Sequence, residues 1–137
     1  MSPHAAAKLE RVIIHPEKIN LPATTNTLII EGAGGILVPI TEDFFVVDLI
    51  AKLEAETIIV IRNYLGSINH SLLTIEALKS RNIKIKGIVF NGEPNEMSEK
   101  VILHYAQVPV IFRLMNENLI DEETVRSYKE KIDYTLF

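Results

Sequence analysis

Apolar residues occur along the chain in short continuous runs that alternate with stretches of helical periodicity. Four of these runs predict β-strands: Thr27–Glu31, Thr57–Arg62, Ile85–Phe90 and Val108–Phe112. Each run is apolar throughout rather than alternating, so we expect both faces of the strands to be buried, as in a parallel sheet covered by helices. The pattern predicts one α/β domain over residues 1–137.

Helices are predicted between these strands by apolar spacing and by start signals. The expected helices are Ser2–Arg11, Val46–Glu54, Ser67–Arg81, Asn95–Tyr105 and Glu122–Lys131. Serine opens the first and third of them, where it favours the N-cap position. Residues 12–26 are predicted to be a connection with one helical turn near Glu17–Ile19, and a short extended segment, 36–38, is stopped by Pro39.

Composition narrows the classes of protein that fit this pattern. Apolar residues make up 47% and charged residues 23% of the chain, which is ordinary for a globular protein. Its net charge of −4 argues against nucleic acid or an anionic membrane as the main partner. No cysteine is present, and no apolar run approaches the roughly 20 residues that span a bilayer. We expect a cytoplasmic protein, because the start of the chain has no signal-peptide features.

Polar residues follow the predicted strands at the ends where a parallel sheet binds ligands. They are Glu31, Arg62-Asn63, Asn91-Gly92 and Arg113. Polar residues also mark strand ends in proteins without a site there, so this pattern alone leaves both interpretations open.

Glu31 is followed by Gly-Ala-Gly-Gly at residues 32–35. Glycine allows close approach of the backbone to a ligand, which suits a nucleotide, although a purely structural turn is the alternative. A dinucleotide fingerprint does not fit, because its third glycine would fall on Leu37. No phosphate-binding G-x-x-x-x-G-K-[ST] loop occurs in the 137 residues.

Leu65-Gly66-Ser67-Ile68-Asn69-His70 stands at a predicted helix start. Free backbone N–H groups at such a position bind carboxylate or phosphate, and the Asn69 amide adds a donor. An ordinary serine N-cap is the alternative. The four histidines show no metal-ligand spacing, and the acidic residues 121–123 are predicted to stabilise a helix start.

Four segments together resemble the dethiobiotin synthetase family. They are Ser-Pro-His-Ala-Ala at 2–6, Glu-Gly-Ala-Gly-Gly at 31–35, Leu-Gly-Ser-Ile-Asn-His at 65–70 and Gly-Ile-Val-Phe-Asn-Gly at 87–92. The resemblance extends over nearly the whole chain but covers only the latter part of the family's usual length. It implies a P-loop NTPase-like, Rossmann-like three-layer fold without the N-terminal phosphate-loop strand, so that 1–137 forms a partial domain.

The resemblance also implies an activity: ATP- and Mg²⁺-dependent carboxylation and ring closure of 7,8-diaminopelargonate with CO2, in biotin biosynthesis. Glu31 would be a Mg²⁺ ligand and would lie with Gly32, Ala33 and Gly34 against the ATP phosphates. Asn91 and Gly92 would contact adenine. The family's substrate-carboxylate site, which is shared across a homodimer interface, would be formed by Leu65, Gly66, Ser67 and Asn69.

This chain departs from the family where Phe112-Arg113-Leu114-Met115 replaces a turn that usually touches the nucleotide. The family's phosphate-loop lysine, its later catalytic lysine and its second metal carboxylate also have no counterpart. We therefore expect no turnover by these 137 residues alone, and self-association stronger than a dimer through an unpaired sheet edge. The alternatives are a non-catalytic binding module, half of a split enzyme, or a related amidoligase or cobyrinate-synthase-type domain.

Overall fold

The computed structural model of the protein describes residues 1–132, which divide into two compact units. The first, Met1–Ala55, contains helix α1 (Pro3–Glu10), a 3₁₀ turn (Pro16–Lys18) and helix α2 (Val46–Lys52). The second, from Glu56 onward, contains in chain order β1 (Thr57–Arg62), α3 (Ser67–Lys79), β2 (Ile85–Asn91), α4 (Glu96–Ala106), β3 (Val110–Leu114) and α5 (Glu122–Lys129).

The three strands form a parallel sheet in the order β1-β2-β3. Alternating strand and helix in this order produce the α/β fold that the sequence predicts, so that prediction is confirmed for these strands. The core combines β2 with the inward faces of α3 and α4; its fully buried side chains include Ile75, Leu78, Ile88, Phe90 and Ile102. Of these, Ile75 and Leu78 lie in the C-terminal half of α3, which therefore packs inward.

Close approach of β3 to β2 depends on a glycine in β2. A Cβ placed on Gly87 would lie 2.7 Å from Cγ1 of Ile111 and 2.9 Å from the carbonyl oxygen of Pro109. The Pro109 carbonyl also accepts a hydrogen bond of 3.0 Å from the Ile88 N–H. Gly87 therefore permits the pairing that brings the ends of β2 and β3 together.

The prediction of a strand at Thr27–Glu31 is wrong. Residues 27–31 have no regular secondary structure, and no backbone hydrogen bond within the described chain joins them to a strand. Ile29 is 90% exposed. An apolar, β-branched run favours extended backbone. It becomes a β-strand only when its backbone is hydrogen-bonded to a neighbouring strand, which the run itself cannot supply.

Unit one is organised around the segment that follows the glycines. The Val46 and Val47 N–H groups donate to the carbonyls of Val38 and Ile36 at 3.0 and 2.8 Å, which ties the start of α2 to that segment. Pro39 and Phe45 form an isolated antiparallel bridge. Lys52 joins the end of α2 to the 3₁₀ turn by donating 2.6 Å hydrogen bonds to the backbone carbonyls of residues 16 and 19.

Helix starts agree with the sequence in part. Asn95 and Asp121 cap α4 and α5 by accepting from the Ser98 and Thr124 N–H groups at 3.1 and 2.9 Å. The Thr124 N–H also holds the pKa of Asp121 below its usual range. Ser67, by contrast, is not the N-cap of α3: Gly66 takes that position with φ +99°, because this backbone conformation favours glycine.

Candidate functional site

The carboxyl edge of the sheet carries a polar cavity of about 320 Å³. Arg62 of β1 pairs in register with Asn91 of β2, which pairs in turn with Leu114 of β3. The residues that follow these strand ends therefore meet at one edge, as predicted for Arg62-Asn63 and Asn91-Gly92. The cavity is lined by Arg62, Asn63, Asn91, Gly92, Glu93, Pro94, Asn95 and Asn116.

Two side-chain amides in this lining are available to a ligand. Within residues 1–132, neither Asn91 nor Asn116 uses its amide in a hydrogen bond of the chain. Gly92 lies between them in the loop with φ +98°, and a Cβ there would be 3.4 Å from Oδ1 of Asn116. Each amide offers a donor and an acceptor, the combination that the edge of a heteroaromatic base requires.

A buried carboxylate is hydrogen-bonded to two residues that line the cavity. Glu99, on the inward face of α4, is only 8% exposed. Its Oε1 accepts hydrogen bonds from Nδ2 of Asn63 at 2.7 Å and from the Asn95 N–H at 2.9 Å, and its Oε2 forms an ion pair with Arg113. Burial raises the pKa of Glu99, but Arg113, Asn95 and Asn63 together outweigh that effect and hold the pKa below its usual range.

Sequence reasoning named Asn63 and Arg113 as strand-end residues but missed Glu99, Asn95 and Asn116. A signal for Glu99 was present: it is followed at i+3 and i+7 by Ile102 and Ala106, which are buried. A carboxylate on the apolar face of a helix must meet donors, because burial of an unpaired charge is costly. No comparable signal marked Asn116, which depends on where the chain goes after β3.

The predicted phosphate-side residues lie in unit one. Glu31, Gly32, Ala33 and Gly34 are exposed, and Glu31 does not end a strand. A Cβ on Gly32 would lie 3.0 Å from Cγ1 of Val46, and one on Gly34 would lie 2.9 Å from Cγ2 of Val38. These two glycines thus have a packing reason of their own, which is compatible with the structural-turn interpretation.

The predicted carboxylate-binding residues lie at the start of α3. Leu65 is fully exposed, Asn69 is exposed, and Ser67 is buried. The Ser67 N–H already donates to the Tyr64 carbonyl at 3.0 Å, whereas those of Ile68 and Asn69 have no backbone partner in the described chain. Tyr64 is also hydrogen-bonded through its hydroxyl to Nδ1 of His70 at 2.6 Å. The anion-binding capacity of this helix start therefore rests on residues 68 and 69.

In residues 1–132 no group of three or more His, Asp or Glu side chains is arranged to hold a metal ion. A single carboxylate such as Glu31 is the kind of protein ligand that Mg²⁺ uses when phosphates and water complete the ion's coordination shell. No helix in this part of the chain is long and apolar enough to cross a membrane.

The chain is similar to a family of known proteins and to individual enzymes that share one name. A family described as an AAA domain matches residues 1–124. The ATP-dependent dethiobiotin synthetase BioD of Cytophaga hutchinsonii is 51% identical over 96% of the chain, and that of Christiangramia forsetii is 46% identical over 96%. The enzyme of the same name from Chlamydia felis is 41% identical over 93%.

The chain spans 65%, 63% and 61% of the lengths of these three relatives, a little under two thirds of each. The resemblance inferred from the four sequence segments is confirmed by these matches. The chain therefore belongs to the AAA domain family, in which it is similar over most of its length to ATP-dependent dethiobiotin synthetases.

Proposed function

We propose that this chain forms the base-binding and substrate-carboxylate-binding part of an ATP-dependent dethiobiotin synthetase that acts in the cytoplasm. The observation that carries the proposal is the pair of unengaged amides, Asn91 and Asn116, in a polar cavity at the carboxyl edge of a parallel sheet. Three relatives that are 41–51% identical to the chain bear the name of that enzyme.

The reaction proposed for the complete enzyme joins a diamine to CO2 and uses ATP. One amine of 7,8-diaminopelargonate forms a carbamate, ATP phosphorylates it, and the second amine attacks its carbonyl carbon to close the ring as phosphate leaves. The residues of this chain bind and orient. Asn91, Gly92 and Asn116 hold the base, and residues 65–69 hold the substrate's distal carboxylate in the neighbouring subunit of a homodimer.

Glu31 with Gly32, Ala33 and Gly34 is proposed for the phosphate side of the site. Glu31 would hold Mg²⁺, which in phosphoryl transfer neutralises charge that develops on the phosphate oxygens. The 137 residues contain no phosphate-binding loop, so this chain offers a nucleotide its base contacts without that grip.

The test is a titration of the ¹⁵N-labelled chain with adenosine, which needs no phosphate contacts. We expect the side-chain amide signals of Asn91 and Asn116 to shift together, and Asn91→Ala to weaken binding about fivefold, the value of one hydrogen bond. Asn26→Ala, an exposed position in unit one, is the control and should bind as the wild type does. Saturable shifts that avoid both amides would refute the base site.

A non-catalytic binding module remains the second candidate, because the donors at residues 68 and 69 do not depend on a phosphate loop. Calorimetry separates the candidates. A module would bind 7,8-diaminopelargonate without binding Mg-ATP or adenosine. Adenosine binding at Asn91 would favour the enzyme part.

A further inference from the structure

The loop after β2 is held by three side chains: Asn63, which follows β1, Glu99 of α4 and Arg113 of β3. Nδ2 of Asn63 donates to the Glu93 carbonyl at 3.0 Å as well as to Glu99. Nη1 of Arg113 donates to the Gly92 carbonyl at 3.2 Å, and the Asn95 N–H donates to Glu99. Three of the four residues between 92 and 95 are therefore anchored through their backbone.

The anchors depend on one another. Glu99 joins Asn63, which follows β1, to Arg113 of β3, and both of those side chains then reach the loop. The Arg113 guanidinium also lies 5.1 Å from the ring centroid of Phe90, the residue before Asn91. Neutralising Glu99 would thus leave Arg113 without its counter-ion, while one oxygen could still accept from Asn63.

Stability alone is a weak reason for a cluster of Glu99, Asn63 and Arg113. Charges taken from water cost several kcal/mol each, and apolar groups of the same volume often replace a buried ion pair without loss. The atoms that this cluster holds are those of the cavity wall. The loop leaves Asn91 through Gly92, whose left-handed backbone sets the direction of the chain beneath the Asn116 amide.

We propose that Glu99 and Arg113 are positioning residues for the base-binding edge: through the backbone of residues 92–95 they hold Asn91 and Gly92 in the geometry that accepts a heteroaromatic base. This inference rests on the proposed function, since it gives a role to groups that do not themselves touch the ligand.

The experiment compares adenosine binding to the whole chain and to Glu99→Gln, which keeps the shape of the side chain and removes its charge. The dissociation constant is measured by NMR titration on folded protein, and stability is measured separately by urea unfolding. We expect about fivefold weaker binding, equivalent to losing one well-oriented hydrogen bond. A purely structural role would lower the unfolding free energy and leave the dissociation constant of the folded protein unchanged.

Two further variants complete the test. Arg113→Lys keeps the positive charge but lacks the planar guanidinium that donates to both Glu99 and the Gly92 carbonyl. We therefore expect adenosine binding between that of the wild type and that of Glu99→Gln. Arg113→Lys alone decides the test if Glu99→Gln does not fold. Glu122→Gln is the matched control, because Glu122 pairs with Arg126 on α5 at the surface, and its binding should equal that of the wild type.

The outcomes separate this inference from the function on which it rests. If wild-type protein binds adenosine at Asn91 and both Glu99→Gln and Arg113→Lys bind within twofold of it, the positioning role is refuted while the base site stands. If adenosine does not perturb Asn91 in the wild type, the base site and the positioning role both fall.

Discussion

Gly87 and Ile111 lie so close across the β2–β3 pair that a single methyl group on Gly87 would fall 2.7 Å from Cγ1 of Ile111. The same methyl would meet the Pro109 carbonyl oxygen at 2.9 Å. Backbone and a branched side chain cannot both move aside without disturbing the ladder that aligns the strand ends.

Gly87→Ala should therefore destabilise the protein by about 1–3 kcal/mol, the usual cost of overpacking. Gly35→Ala is the control, because a Cβ there would meet nothing within 4 Å and the backbone is not left-handed. Urea unfolding followed by circular dichroism measures both variants. Equal stability of the two would contradict the close β2–β3 approach.

Glu99 should make stability depend on pH in a predictable direction. Its pKa is lowered in the folded protein, so its stabilising contribution is fully present above the unfolded value of about 4.3 and is lost as pH falls through the lower folded value. We expect the difference in unfolding free energy between wild type and Glu99→Gln to be about 1–3 kcal/mol at pH 7 and to shrink toward pH 3. A difference that does not change with pH would oppose this assignment.

Gly92 should be essential to the base site, and its substitution should act on binding as well as on stability. Gly92→Ala puts a methyl group on a residue with φ +98° and 3.4 Å from the Asn116 amide oxygen. Left-handed backbone costs an alanine roughly 1–2 kcal/mol, and relief of that strain would move the loop. We expect weaker adenosine binding in NMR titration; unchanged affinity would show that the loop geometry does not matter.

The 137 residues alone should form no dethiobiotin from 7,8-diaminopelargonate, CO2 and ATP. One positioned charge in phosphoryl transfer can be worth about 10³-fold, and the chain has no phosphate-loop lysine or hydroxyl to supply it. Mass spectrometry of the reaction mixture measures the product. Turnover above the level without protein would overturn this expectation.

Self-association should exceed a dimer. Within the described residues β1 is an edge strand of the sheet, and its residue Val60 is 62% exposed. An edge strand with an apolar face pairs readily with other chains, so Val60→Lys should reduce the assembled fraction. Leu73→Lys is the control for added charge, because Leu73 is an exposed apolar residue that lies on α3 and not on the edge strand. A folded, monodisperse wild-type monomer in sedimentation velocity would contradict the prediction.

Most elements of unit two followed from local sequence. The strand at Thr57–Arg62 was predicted with the observed bounds, and α4 begins within one residue of its predicted start because Asn95 caps it. Apolar runs and caps act over a few residues, so the sequence shows them directly. The last predicted helix extends to Lys131, while α5 ends at Lys129.

Other features needed the assembled chain. The run Thr27–Glu31 has the composition of a strand, yet strand formation depends on a partner ladder that local sequence does not contain. The single-domain prediction and the phosphate-side role of Glu31 remain predictions. Asn116 could not be recognised as part of the cavity, because its place depends on the turn after β3.

By itself, the sequence determined the order of strands and helices from Glu56 onward, the absence of a phosphate loop, and a family resemblance. It also placed Asn91 and Gly92 at a strand end. Only the tertiary structure decided that Glu99, Asn63 and Arg113 meet beneath that end and that Asn116 lies over Gly92. The physical reason is range: periodicity and capping are interactions between near neighbours, whereas a buried charge finds its partners through the pairing of strands far apart in the chain.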